Sequence, residues 1–446
     1  MDNSQTYFRN SDHHALHEWI LIFLGLASLC VTLAPSIDSD GTVRFAAVRA
    51  LLGEAGTIQI KFSLIQPLLS MPLAWLAKIA HRPEEKTVAY FNLIVFVIGS
   101  ACLYRLAAEK YSPKVARISL LVLGCASMVP HHLQWYFGEV LTSVFLSIGV
   151  LSLGRKPILS TVMFGLGLAN TPALIPPFFL VAAVYLWSSR SYQPIAGAVC
   201  AVAITVLENV IKYGSVRGSP YLADVEHGFH TALPYSGQPG FSYPLFFGVL
   251  SIVASFGKGL IFYIPGAVLF FITSIRRNLG GPAFGQLLLA TFVTLTIALY
   301  AKWWAWYGGG FWGPRFFLFL CFPSSLLIGL AIASGERRRG VLALVLAVLL
   351  LSIWVGVDGY LFGQTAMDTC WANNFALESL CWYTPEFSAL WRPFVTGDIG
   401  GAWDQRHALF AFWQVLAGIY LIRQLLSSSH AQHVLAKRCE DAPLSD

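Results

Sequence analysis

Charge is what this sequence has least of. Asp, Glu, Lys and Arg make up 12% of its 446 residues while 56% are apolar, too few charges to clothe a water-soluble body of that size. A bilayer must supply the outer surface. Metal-ligand and haem spacings are also missing. His13 with His14, His131 with His132, and His227 with His230 are pairs without a Cys or carboxylate pattern beside them. No stripe of basic residues interleaved with aromatics runs along the chain, so the net charge of +6 is not the footprint of a nucleic-acid binder. A cleavable signal is not expected either. The first apolar run follows a polar stretch with His13, His14, His17 and Glu18 and lacks a small-residue cleavage site.

What is present is a series of apolar windows of membrane-crossing length, for which about 20 helical residues are needed. They centre on residues 18 to 35, 88 to 107, 115 to 131, 140 to 154, 157 to 170, 171 to 188, 194 to 211, 258 to 275, 283 to 302, 316 to 334, 340 to 357 and 407 to 425. The expected fold is an all-α polytopic membrane protein with about 12 transmembrane helices. A further apolar segment, Phe62 to Ala80, is crowded by Pro67 and Pro72 and flanked by charge. Laid on the outer face as an interfacial helix, it leaves Arg105 to Arg117, Arg155 and Lys156, Arg190, Arg276 and Arg277, and Arg337 to Arg339 in cytoplasmic turns. The excess of Lys and Arg on inner turns favours that placement, with both termini cytoplasmic.

The substantial outer segments are then 36–87, 212–257, 303–315 and 358–406, and the chemistry is expected on that face. A division follows into a catalytic module, 1–334, and a C-terminal part, 335–446, holding the last helices and the 358–406 loop. Of the eight cysteines, five lie in or beside apolar spans, Cys439 is in the polar tail, and Cys370 and Cys381 share the last outer loop. A disulfide between these two is open to them if the loop faces an oxidising compartment.

The first outer segment carries two acids just past a membrane span, Asp38 and Asp40, followed by Arg44, Arg49 and the stretch Lys61-Phe62-Ser63-Leu64-Ile65-Gln66-Pro67. A carboxylate beside the lipid headgroups suits a general base for an acceptor hydroxyl. It equally suits a helix cap, Asp40 capping the run from Thr42 to Glu54. Glu139 sits at the outer start of a span, where an ionisable group is costly unless it faces a polar cavity or a partner. Lys258 and Arg315 stand at outer helix edges, where a cation can hold phosphate, in bidentate fashion for Arg, or snorkel to the headgroups. Glycines at 308 to 310 and 313 admit close backbone approach, and Tyr307 and Trp312 could stack on a sugar or a prenyl chain.

The first segment resembles the first periplasmic loop of the GT-C superfamily of polyprenyl-phosphate-dependent glycosyltransferases, in the bacterial phospholipid carrier-dependent type. That pattern is an Asp just after the first helix, then an amphipathic stretch ending in a Lys-aromatic-Ser run. Five further stretches are similar to the same family: Tyr136-Phe137-Gly138-Glu139; Gly165 through Asn170-Thr171-Pro172; Asn209 through Tyr213-Gly214-Ser215 to Ser219-Pro220-Tyr221; Ser255-Phe256-Gly257-Lys258-Gly259-Leu260 with Tyr263 and Pro265; and Trp306-Tyr307-Gly308-Gly309-Gly310-Phe311-Trp312-Gly313-Pro314-Arg315. Many members place Glu directly after the Asp, where this chain has Gly41.

The resemblance implies inverting transfer of a sugar from a polyprenyl-phosphate donor to a lipid, glycan or protein acceptor on the outer face of the bacterial cell membrane. Asp40 would be the base, with Asp38 its rival. Lys61, Lys258, Arg315 and Arg44 would hold the phosphate, and Glu139, Tyr307, Trp312 and Tyr221 would line the substrate site. No cofactor is assigned, a divalent metal being used by some members only. Two other classes share the polytopic, aromatic-rich character: a transporter or flippase of lipid-linked saccharides, and a polysaccharide ligase or polymerase. An inverted repeat would mark the first and a strongly basic late outer loop the second. Neither is found, the 358–406 loop having only Arg392 and Arg406.

Overall fold

In a bilayer each backbone polar group must find its partner within the chain, which selects helices for apolar runs of this length. The computed structural model describes residues 3–216, 240–280, 283–335, 338–363, 367–396 and 405–440. Among the described residues every regular element is a helix, and one isolated bridge joins Ser36 to Trp135. Eight helices among the described residues are long and apolar enough to cross a membrane: His14–Thr32, Glu84–Lys110, Pro172–Ser189, Gln193–Tyr213, Gly285–Lys302, Arg315–Ser334, Arg339–Leu361 and His407–Ser428.

The other four expected spans are shorter or broken. Pro113–Cys125, Glu139–Ser152 and Pro157–Asn170 are helices of 13, 14 and 14 residues. The 258–275 run is not one helix. It divides into Leu260–Tyr263, a 3-10 turn Pro265–Phe271 and Thr273–Arg277, because Pro265 offers no N–H and its ring obstructs the preceding turn. The helix Ile65–Ile79 has 15 residues, with Pro72 inside it, and so extends about 22 Å, short of the roughly 30 Å hydrocarbon core. An apolar helix unexpected from the sequence, Leu245–Ala254, lies within the 212–257 segment and packs on Ala283–Lys302.

Burial sorts the spans into layers. Arg315–Ser334 is the most enclosed, with 83% of its window buried, whereas Pro172–Ser189 has 22%. The first runs through the centre of the bundle, and the second turns Leu180 and Trp187 outward. Small residues let the helices approach, as is common where lipid supplies no hydrophobic driving force. A Cβ on Gly149 would lie 2.7 Å from the Phe164 ring and one on Gly197 2.6 Å from its Cβ. At the other end of the bundle, buried Glu18 pairs with Arg117 and accepts from the Tyr420 hydroxyl. That cluster ties the first helix to Pro113–Cys125 and to the last.

Candidate active site

The site is assembled where the segment after the first helix meets the start of the most enclosed helix. Asp40 is the first residue of the helix Asp40–Leu51, where the positive end of the helix dipole favours an anion. The residue before it, Ser39, has φ of 50°, a conformation that costs a non-glycine residue about 1–3 kcal/mol and concentrates at functional sites. Asp40 is not engaged as a cap. Its Oδ2 accepts from Arg315 Nη2 at 2.7 Å. Asp38 takes another direction, accepting from the Ser36 hydroxyl at 2.6 Å on the exposed side of the loop.

Arg315 is held on several sides. Its Nε donates to the Gly308 carbonyl at 2.7 Å, and Nη1 lies 3.6 Å from Glu139 Oε1. Phe137, Phe311 and Phe316 place rings within 5.5 Å of the guanidinium carbon, a favourable cation–π environment. One arginine thus stands between two carboxylates. Burial works to raise the Asp40 carboxyl, but Arg315, Lys61 and Arg44 together outweigh it and hold Asp40 below the usual aspartate range.

Arg44 lies one turn along from Asp40, with its guanidinium 4.4 Å over the Phe62 ring. It is 6% exposed, and its Nε and Nη1 are buried without a hydrogen-bond partner. Unpaired buried donors on a cation are costly. Gly138 allows its approach, since a Cβ there would stand 2.8 Å from Nη2.

The stretches singled out in the sequence meet around these groups. The Asn170 amide donates to the Gly138 carbonyl at 2.8 Å, and Asn92 and Gln66 donate to that of Phe137. These three amides fix the turn that presents Glu139. The segment carrying Lys61 is gripped by the end of Gln193–Tyr213. Glu208 accepts from the Ser63 hydroxyl at 2.8 Å and from the Leu64 N–H at 3.0 Å, while Lys212 and Tyr213 donate to the Phe62 and Ile60 carbonyls.

Three residues expected at the ligand are buried among other groups. Lys258 is 1% exposed, and its ammonium donates to the carbonyls of Gly309, Phe311 and Gly313. An ammonium has three donors, and here each meets a carbonyl of the glycine loop. Trp312 is fully buried and donates to Asp358 Oδ2 at 2.9 Å, with His131 and Tyr263 against its faces. It therefore packs beneath the site. Tyr307 is also buried, stacked on Trp382 with centroids 5.5 Å apart. Tyr221 lies outside the described residues. Among the described residues no group of three or more His, Cys, Asp or Glu side chains comes together. Glu208 was missed in the sequence, although an acid near the outer end of a span is the same signal that marked Glu139.

An apolar groove of about 650 Å³ opens between Ile65–Ile79, Phe91–Lys110, Glu139–Ser152 and Pro157–Asn170. It begins at Leu141, two residues along the helix from Glu139, and reaches Arg105 and Lys156 at the far end.

The fold of the chain is similar to that of solved structures of low sequence identity. The likeness is to ArnT from Cupriavidus metallidurans. In the form bound to undecaprenyl phosphate, the TM-score is 0.51 at 11% identity, covering 93% of this chain and 77% of that one. In the apo state it is 0.50 at 13%, covering 94% and 78%. A lower score, 0.42 at 12% identity, relates 92% of the chain to 56% of the archaeal oligosaccharyltransferase AglB from Archaeoglobus fulgidus. No family model matches the sequence, and no curated protein does.

Proposed function

We propose that this protein is an integral membrane glycosyltransferase that moves a sugar from a polyprenyl-phosphate donor to an acceptor hydroxyl on the outer face of the bacterial cell membrane, both termini being cytoplasmic. The observation that carries the reading is Arg315 between Asp40 and Glu139, with the open donors of Arg44 beside Asp40. ArnT, which shares the fold, has been solved bound to undecaprenyl phosphate. Arg44, Lys61 and Arg315 supply the positive charge for the donor's phosphate, and the apolar groove below Glu139 suits its tail.

The chemistry follows from how Arg315 is shared. The acceptor oxygen attacks the anomeric carbon, the bond from that carbon to the phosphate oxygen breaks, and the electron pair leaves with the phosphate. As negative charge develops there, Arg315 is drawn toward it and its hold on Asp40 weakens. Asp40 then becomes more basic at the moment the acceptor's proton becomes acidic, and takes it. Attack opposite the leaving group inverts the anomeric centre. Glu139, the second partner of Arg315, keeps the guanidinium in register and faces the sugar. A divalent metal does not fit between the two carboxylates, because the guanidinium fills that place.

Titration with undecaprenyl phosphate under native mass spectrometry tests the donor assignment. The wild-type protein should retain the lipid, and Arg44→Gln should weaken retention roughly tenfold, the scale of one charge-assisted contact. A wild-type protein that retains none overturns it.

A further inference from the structure

The loop that delivers Arg315 has no regular structure of its own. Gly308, Gly309 and Gly313 have φ of 76°, 82° and 70°, and such a glycine-rich segment is ordered only at a large entropic cost. Side chains order it. The Gly308 carbonyl accepts from Arg315 itself, and those of Gly309, Phe311 and Gly313 from Lys258. The Gly310 carbonyl accepts from Trp371 Nε1 at 3.1 Å.

Trp371 and Trp382 each follow a cysteine, and Cys370 is bonded to Cys381. Trp382 lies 4.6 Å from the Lys258 ammonium, face on, and stacks on Tyr307. Its carbonyl accepts from the Gly257 N–H at 3.1 Å, next to Lys258. One crosslink therefore joins the two tryptophans that grip the glycine loop, Trp371 directly and Trp382 through Lys258. Both cysteines are buried.

We infer that the Cys370–Cys381 disulfide positions Arg315, with Trp371, Trp382 and Lys258 as positioning residues, so that the site is completed only when this outer loop is oxidised. The inference concerns the order of the loop and stands on contacts within the chain. Its consequence for donor binding rests on the assignment of Arg315 to the phosphate. Crosslinks that close a loop act by restricting the states available when it opens, and a segment held by few contacts exchanges its amides through local opening.

Hydrogen–deuterium exchange on the full-length protein in lipid nanodiscs tests this. In Cys370→Ala/Cys381→Ala, peptides covering residues 305–316 should exchange about tenfold faster, with Arg339–Leu361 unchanged. Wild-type protein reduced with a phosphine and then reoxidised gives the same reading without a substitution, and the change should reverse. Trp382 Nε1 makes no hydrogen bond, so Trp382→Phe, which keeps a ring face over Lys258, should exchange like wild type while Trp382→Leu loosens the loop. Unchanged exchange of 305–316 in the reduced protein and the double variant overturns the inference. Undecaprenyl phosphate binding on the same samples separates the two readings. A loosened loop with undiminished binding sustains the brace and removes Arg315 from the phosphate site.

Discussion

Arg315 Nη2 and Asp40 Oδ2 lie 2.7 Å apart across a sequence separation of 275 residues. The contact joins the helix Asp40–Leu51 to the head of the most enclosed helix, and it puts a cation between two acids that would otherwise repel. The charge and planar shape of that cation are separable. Arg315→Lys keeps the charge and loses the fork that reaches Gly308, Asp40 and the Glu139 side at once. Turnover should fall roughly ten- to hundredfold with expression unchanged. Wild-type turnover in Arg315→Ala would reduce the residue to a membrane anchor.

The same pair sets a pH dependence. Asp40 is held below the usual aspartate range by Arg315, Lys61 and Arg44 acting against burial. Its folded value is therefore the lower one, and its contribution to stability is present above the unfolded value and lost as pH falls through the folded one. Arg315→Gln removes the largest lowering influence. The acid-side loss of residual transfer activity should move to higher pH in that variant, measured as kcat/KM against pH. An acid limb at the same position in both proteins would separate Asp40 from the rate.

Glu208 anchors the segment bearing Lys61, with Ser63, the Leu64 N–H and Lys212 on its carboxylate. Glu208→Ala leaves the Lys212 ammonium buried without its partner and should destabilise the protein by about 3–5 kcal/mol. Glu208→Gln keeps an acceptor and should lose less. Melting in detergent and the donor KM read both effects, and equal melting temperatures for Ala and wild type would contradict the anchoring role.

Topology gives an independent check. Reporters fused after Arg277 or Arg338 should read cytoplasmic, and one after Phe375 external. An external signal at Arg338 would put the site on the other face.

The all-helical, membrane-crossing character was legible because apolar length is a local property of the sequence. The broken 258–275 run was not, since Pro265 ends a helix in a way that a hydropathy window averages out. In the site, Asp40, Glu139 and Arg315 were readable as ionisable groups at outer helix ends. Their convergence was not, because no local pattern says that residue 315 reaches residue 40. Lys258 and Trp312 were ambiguous in the sequence. A cation and an aromatic at the membrane edge look alike whether they face a ligand or hold a loop, and the structure places three carbonyls on Lys258 and the Asp358 carboxylate on Trp312.

Release of the carrier lipid tests the central claim most directly. Purified protein is incubated with lipid-linked saccharides extracted from its host membranes, and free undecaprenyl phosphate is followed by mass spectrometry. Wild type should release it. Asp40→Asn, nearly isosteric and unable to take a proton, should lose about a hundredfold to ten-thousandfold of that rate while still binding the lipid, and Asp38→Asn should change little. No release by wild type, or equal release by wild type and Asp40→Asn, would contradict transfer with Asp40 as the base.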